Sequence, residues 1–235
     1  MTTSPADVSV MWAQALAWRL GRHLLEAPSA GSVADVVRRL GAVLATDGSL
    51  CELAVRTRLR TSSAGDLAQA VADGEVIEVF AFRGARHYLA ADEGGMYLAL
   101  RSAGRQWELA SWVEHYGLTP SDWPEFRSTV RGVLIEGTLT VAELGQALTL
   151  HASYRHLRPV FDTGAGTLIK SLTWQGDVSF GPRRDGQQTL QRLDSNPSGE
   201  AFLISRKPAE APSRHTSARM VRQRSTTSTT GSARA

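Results

Sequence analysis

The chain has 235 residues, 42% of them hydrophobic, enough for one large or two small domains with a buried core. It has no run near the roughly 20 apolar residues that cross a bilayer, and Met1 to Val8 lack the pattern of a secretory signal. A cytoplasmic location without a membrane partner is therefore expected. The net charge of +3 is unevenly placed: residues 201–235 hold seven Lys or Arg and one acid, leaving 19 basic against 22 acidic residues before them. Bulk charge thus does not make the body a nucleic-acid binder, and any affinity there requires local arginine clusters.

In chain order, residues 8–26 place Val8, Met11, Trp12, Ala15, Leu16, Leu20 and Leu24 on one helical face. After a break at Ala27-Pro28, Ser32 is an N-cap, and Val33, Val36, Val37, Leu40, Val43 and Leu44 follow at helical spacing. Helices over 50–59 and 64–73 come next, the first carrying the single cysteine, Cys51, as a small buried hydrophobe. Val76 to Phe82 then reads as a strand, Arg83-Gly84-Ala85 as a turn and His87-Tyr88-Leu89 as a returning strand. Three helices followed by a hairpin is the order of a winged helix-turn-helix.

Residues 92–117 read as two further helices, with Met96, Tyr97, Leu98, Leu100, Trp107, Leu109, Trp112, Val113 and Tyr116 as core. The helices-then-hairpin order then repeats. A helix over 122–136 comes first, and Thr140 with Glu143 forms a capping box before the next. A helix over 164–173 leads to Val178-Ser179-Phe180, a loop over 181–188 and a strand over 189–193. The expected fold is mainly α with small β-hairpins, an α+β arrangement of tandem winged helix-turn-helix units. Its first unit occupies 1–117, its second 118–197, and residues 198–235 form a basic Ser/Thr-rich disordered tail.

Each hairpin tip carries two arginines. Arg83, Arg86 and His87 at the first, and Arg183 and Arg184 at the second, suit phosphate or minor-groove contacts. Lys170, the only lysine before the tail, joins them. Trp174 reads either as a ring that stacks on a base or as a core anchor. Asp162-Thr163-Gly164-Ala165 has the look of an aspartic-protease turn, but that chemistry needs two such Asp in a β-rich fold, so Asp162 is read as a helix cap. The six His show no metal spacing, and no metal or organic cofactor is expected.

Several stretches together resemble the AlkZ-like winged-helix DNA glycosylases across roughly residues 8–195. They are Ser32 to Val43, Glu52 to Leu59, Phe82-Arg83-Gly84-Ala85-Arg86-His87-Tyr88-Leu89, Thr167 to Asp177, and Phe180-Gly181-Pro182-Arg183-Arg184. The resemblance implies a monomer of tandem winged helices that wraps duplex DNA, damaged or intact, and excises alkylated or crosslinked purines. It also implies a water-orienting Gln-x-Gln or Gln-x-Asp motif directly after Leu40-Gly41-Ala42-Val43. Here that place reads Leu44-Ala45-Thr46-Asp47, so Leu44 and Thr46 stand where the motif's side chains belong. If the segment is helical, Asp47 is rotated about 100° from the required position. The resemblance also implies a third winged-helix unit, in whose place the basic tail is expected after about Asp194. The reading is a DNA-binding protein with base excision lost or reduced. The alternatives are an active alkylpurine glycosylase, in repair or genotoxin self-resistance, that uses Asp47, and a winged-helix transcriptional regulator.

Overall fold

The computed structural model of the chain describes residues 10–194 and 196, so the expectations for Val8 and for the basic stretch 198–235 lie outside the described residues. Helix α1 spans Trp12–Arg22, and its apolar side chains Trp12, Leu16 and Leu20 are exposed. Helix α2 (Val33–Leu40) begins at a capping box in which the Ser32 hydroxyl accepts from the Asp35 amide and the Asp35 carboxylate from the Ser32 amide. The spacing predicts this helix through Leu44, but it ends at Leu40. Gly41 adopts φ +79°, a left-handed turn open to glycine, and Val43–Leu44 becomes a short strand, β1.

Asp47 then caps α3 (Gly48–Arg56), where Cys51 is buried as expected and its thiol donates to the Leu44 carbonyl at 3.0 Å. Helix α4 (Asp66–Ala72) leads into the expected hairpin of β2 (Val76–Phe80) and β3 (Arg86–Ala90). Helices α5 (Ala91–Ser102) and α6 (Ala110–Tyr116) follow. Leu98, Trp107 and Tyr116 are core here, whereas Met96, Leu100 and Leu109 are exposed. Met96 and Leu100, four apart, lie together on a face of α5 away from Ala91, Gly94 and Leu98, which are buried.

The second half contains α7 (Trp123–Val133), strand β4 (Leu139–Thr140) and α8 (Val141–Thr149), the last opened by the expected Thr140–Glu143 capping box. Two short helical segments that periodicity does not announce, at Ala152–Leu157 and α9 (Arg158–Asp162), precede α10 (Gly166–Trp174). Asp162 caps nothing. It closes α9 as an exposed side chain 3.7 Å from Arg158, and α10 starts instead from Ala165 at φ +45° without a side-chain cap. Strands β5 (Val178–Arg184) and β6 (Gln187–Arg192) absorb most of the expected 181–188 loop. Asp185 and Gly186 both take positive φ, 51° and 77°, and close the hairpin in a two-residue turn whose hand matches the strand twist.

The hairpins are not separate. Glu78 of β2 pairs with Phe180 of β5, and the strands join in one six-stranded antiparallel sheet of order β1-β3-β2-β5-β6-β4. The architecture is therefore mixed helix and sheet, more continuous than the small hairpins expected from sequence. Along β2 the pleat sends Val76, Glu78 and Phe80 to one face and Ile77 and Val79 to the other. Val76 packs with Val36, Val37 and Val55 of the first helices, while Ile77 and Val79 pack with Leu89, Leu98 and Leu193. A third cluster around Phe126, Leu144, Leu148, Leu168, Leu172 and Leu190 fills the second half. Among the described residues no helix is long and apolar enough to cross a membrane.

The second core tolerates no added volume where α8 meets α9. A Cβ at Gly145 would stand 2.4 Å from Cβ and 2.6 Å from Cγ of Phe161. Gly145→Ala is expected to destabilise the fold by about 1–3 kcal/mol through overpacking despite the better helix propensity of alanine. A chemical-denaturation midpoint at or above that of the parent would show that Phe161 moves aside freely.

Candidate nucleic-acid interface

The segment Leu44 to Asp47, where the motif is expected, is not helical: Leu44 ends β1 and Asp47 has extended φ and ψ, so the helical rotation expected for Asp47 does not apply. Residues alternate across it: Leu44 exposed, Ala45 buried, Thr46 exposed. The Ala45 amide donates to the Arg86 carbonyl at 2.9 Å, which ties the segment to β3 beyond the end of β1. Leu44, the last residue of β1, and Thr46, at a bend just beyond it, are both exposed on either side of the buried Ala45. Asp47 is one residue out of phase, and its carboxylate is engaged. It accepts from the Ser49 hydroxyl at 2.5 Å and from the Ser49 and Leu50 amides at 2.9 and 3.3 Å. The Ser49 hydroxyl first, then the two amides, hold it below the ordinary carboxylate range.

Strand pairing sets His87 opposite Leu44. His87 Nδ1 lies 3.0 Å from the Ala85 carbonyl oxygen, which can only accept, so that nitrogen carries the proton. The Phe82 ring stands edge-on to both His87 and Tyr97, each at 5.3 Å between ring centres. Phe82 is 43% exposed and Leu44 48%, so this apolar and aromatic group opens to solvent beside the motif positions.

The tip of the first hairpin is a short turn with Arg83 at φ +52° and Gly84 at φ +70°. Arg83 is exposed. Lys170, from α10 in the other half, reaches the same turn: its Nζ is 3.7 Å from the place a Cβ on Gly84 would occupy and 5.2 Å from the centre of the Phe80 ring. Arg86, by contrast, is turned inward across the junction of the hairpins. It pairs with Glu78 at 3.3 Å, donates to Gln188 Oε1 at 3.2 Å and lies 5.0 Å from the centre of the Phe180 ring. Burial pushes the Glu78 carboxyl above its ordinary value, against the pull of Arg86, the Tyr88 hydroxyl and Arg183.

At the second tip, Arg183 is exposed and donates to the Gly186 carbonyl at 3.0 Å, while Arg184 pairs with Glu143 and donates to the Thr138 carbonyl at 3.3 Å. Trp174 is 3% exposed, and the Arg101 guanidinium lies over it at 3.8 Å from the ring centre. Of its two readings, core packing is the one its burial matches, because a covered indole offers no face to a base.

One ionic centre had no sequence signal. Asp177, fully buried just after α10, receives Arg127 at 2.5 and 3.0 Å and also Arg131, both from α7. Arg127 further donates to the Gln175 carbonyl at 3.0 Å. Arg127 and Arg131 are one helical turn apart and so share a face, but no local spacing rule links them to residue 177.

Residues 37–227 match the family described as DNA glycosylase AlkZ-like. An interstrand DNA cross-link repair glycosylase of Streptomyces sahachiroi is 33% identical over 179 residues, which covers 76% of this chain and 48% of that protein. The solved structure of the Streptomyces sahachiroi DNA glycosylase AlkZ is similar with a TM-score of 0.74 at 31% identity, over 83% of this chain and 52% of that one. The chain therefore spans about half the length of the relatives it matches. On this agreement of sequence and architecture, the chain belongs to the AlkZ-like DNA glycosylase family.

Proposed function

We propose that this chain binds duplex DNA across its two hairpin tips and that base excision through the family motif is lost or strongly reduced. The observation that carries this reading is the chemistry at positions 44 and 46. Both side chains are exposed, two residues apart, yet they are leucine and threonine. Leucine cannot hydrogen-bond a water, and a threonine hydroxyl is no base near neutral pH. Asp47 is ionised but spent on its helix cap.

In this reading residues 1–117 and 118–197 act as two winged-helix units. Arg83 and Lys170 at one tip, and Arg183 and Arg184 at the other, contact phosphate, with His87 beside the groove. Arg86 contributes mainly by holding the two hairpins together through Glu78, Gln188 and Phe180. The relatives named for DNA glycosylase and cross-link repair activity support DNA as the partner.

The test is incubation of the purified protein with duplex carrying alkylated purines, with free base and duplex binding both measured. Binding without release upholds the reading. Release above a protein-free control, lost in Asp47→Asn, would make the chain an active glycosylase. Independently, Arg83→Ala should weaken binding to every duplex sequence and flatten the plot of log affinity against log salt by about one unit of slope. An unchanged slope would remove Arg83 from the interface.

A further inference from the structure

Trp12, at 85%, is the most exposed of the large hydrophobic side chains among the described residues. Its helix, α1, has no buried residue and also leaves Met11, Leu16 and Trp18 in water, Trp18 at 65% exposure. A monomer seldom shows water a contiguous apolar patch of more than a few hundred Å². The helix has no acidic residue, and its cations stand among the rings. Arg22 lies 5.3 Å from the centre of the Trp18 ring. Arg19 borders a cleft of about 200 Å³ that Trp12, Ala13, Ala15 and Leu16 also line. A helix that lies on a membrane segregates its cations from its apolar face, whereas this one interleaves them.

Such a helix is complementary to itself. In an antiparallel pairing about a two-fold axis at Leu16, Trp12 comes level with Leu20 of the other copy, and Ala13 with Arg19. The indole of each copy then enters beside the cleft and guanidinium of the other, so each copy supplies both knob and hole. The antiparallel sense also sets Arg19 and Arg22 against the uncharged first turn of the partner, while a parallel pair would place like charges side by side. Covering the face of Trp12, Leu16 and Leu20 with its flanks buries about 500 Å² per copy, about 1,000 Å² for the pair, the lower limit of a specific interface. We propose that α1 is a dimerisation helix through which two copies of this chain associate antiparallel and weakly. The family resemblance implies a monomer, but α1 precedes residues 37–227, which match the family. The pairing is independent of the DNA-binding reading, and its test contains no DNA.

The experiment is sedimentation velocity of the full chain from about 1 to about 100 µM. The mass should rise from 25.4 kDa toward twice that value, with the midpoint on the order of 10 µM that so small an interface supports. Trp12→Glu should leave the far-UV spectrum unchanged and raise the dissociation constant about tenfold or more, since it removes the central aromatic anchor. Leu16→Cys under mild oxidation by diamide should give a disulfide-linked dimer, because the two-fold axis brings its two thiols together. Leu53→Cys, exposed on α3, should not, nor should the parent, whose single cysteine is buried. A mass of one chain at every concentration overturns the pairing, whatever else then covers the face. A dimer that survives Trp12→Glu, or that Leu53→Cys crosslinks as readily as Leu16→Cys, overturns α1 as the interface.

Discussion

Replacing Asp177 by alanine should lower the stability of the fold by about 3–5 kcal/mol, the cost of removing one partner from a buried charge cluster. The reason is geometric. The carboxylate has no exposure and receives two guanidinium groups from one face of α7, each itself about a quarter exposed or less. Without the carboxylate, two neighbouring cations repel each other beside the core, and only Asp194, held below its ordinary range by Arg192 and in part by Arg131, remains as a nearby counter-charge. At about 2–4 °C per kcal/mol for a chain of this length, the melting temperature should fall on the order of 10 °C. Asp177→Asn should recover part of the loss, since an amide oxygen still accepts hydrogen bonds from Arg127 and Arg131 but carries no charge. A melting temperature within a degree or two of the parent for Asp177→Ala would mean that the arginines find water or other acceptors on opening. The substitution should also reach the proposed interface indirectly, because Asp177 links α7 to the junction of α10 and β5, which carry Lys170 and Arg183.

Installing glutamine at both motif positions should have the largest effect on activity. In Leu44→Gln/Thr46→Gln the two amides would replace exposed side chains two residues apart, the first opposite His87, and would offer hydrogen-bonding groups to a water. The rise in base release from an alkylated duplex should be on the order of a hundredfold over the parent, the lower range of what a positioned water-activating group contributes. Both positions are exposed, so stability should change by no more than about 0.5 kcal/mol, and a gain in release cannot be ascribed to a firmer fold. The readout is free base measured over time, with each single variant as control. A double variant that folds and binds DNA but releases no more base than the parent would show that base release in this chain is not limited by these two side chains alone.

Much of this was legible in the amino-acid sequence because it depends on neighbours in the chain. The capping boxes at Ser32–Asp35 and Thr140–Glu143, the change from helical to alternating period after Gly74, and the burial of Cys51 are all local rules that held. The turn at Asp185–Gly186 lies within the loop expected over 181–188, most of which is strand instead. Family membership was legible too, since it rests on ordered stretches of residues. The end of α2 at Gly41 was the local feature that spacing alone misread: Val43 and Leu44 continue the apolar rhythm of a helix that a left-handed glycine has already stopped.

What the tertiary structure decided are the pairings between segments far apart in sequence. Asp177 meets Arg127 and Arg131, Lys170 meets the turn at Gly84, and Glu78 joins its hairpin to Phe180. It also divided the arginines by role: Arg83 projects outward, while Arg86 crosses the junction to Glu78 and Gln188, although both had the same local signature of a charged residue at a hairpin tip. Local sequence sets backbone conformation and which residues are apolar. The partner of a charge is chosen by how the packed elements converge, and that choice depends on the burial of the whole core rather than on any residue near the charge in the chain.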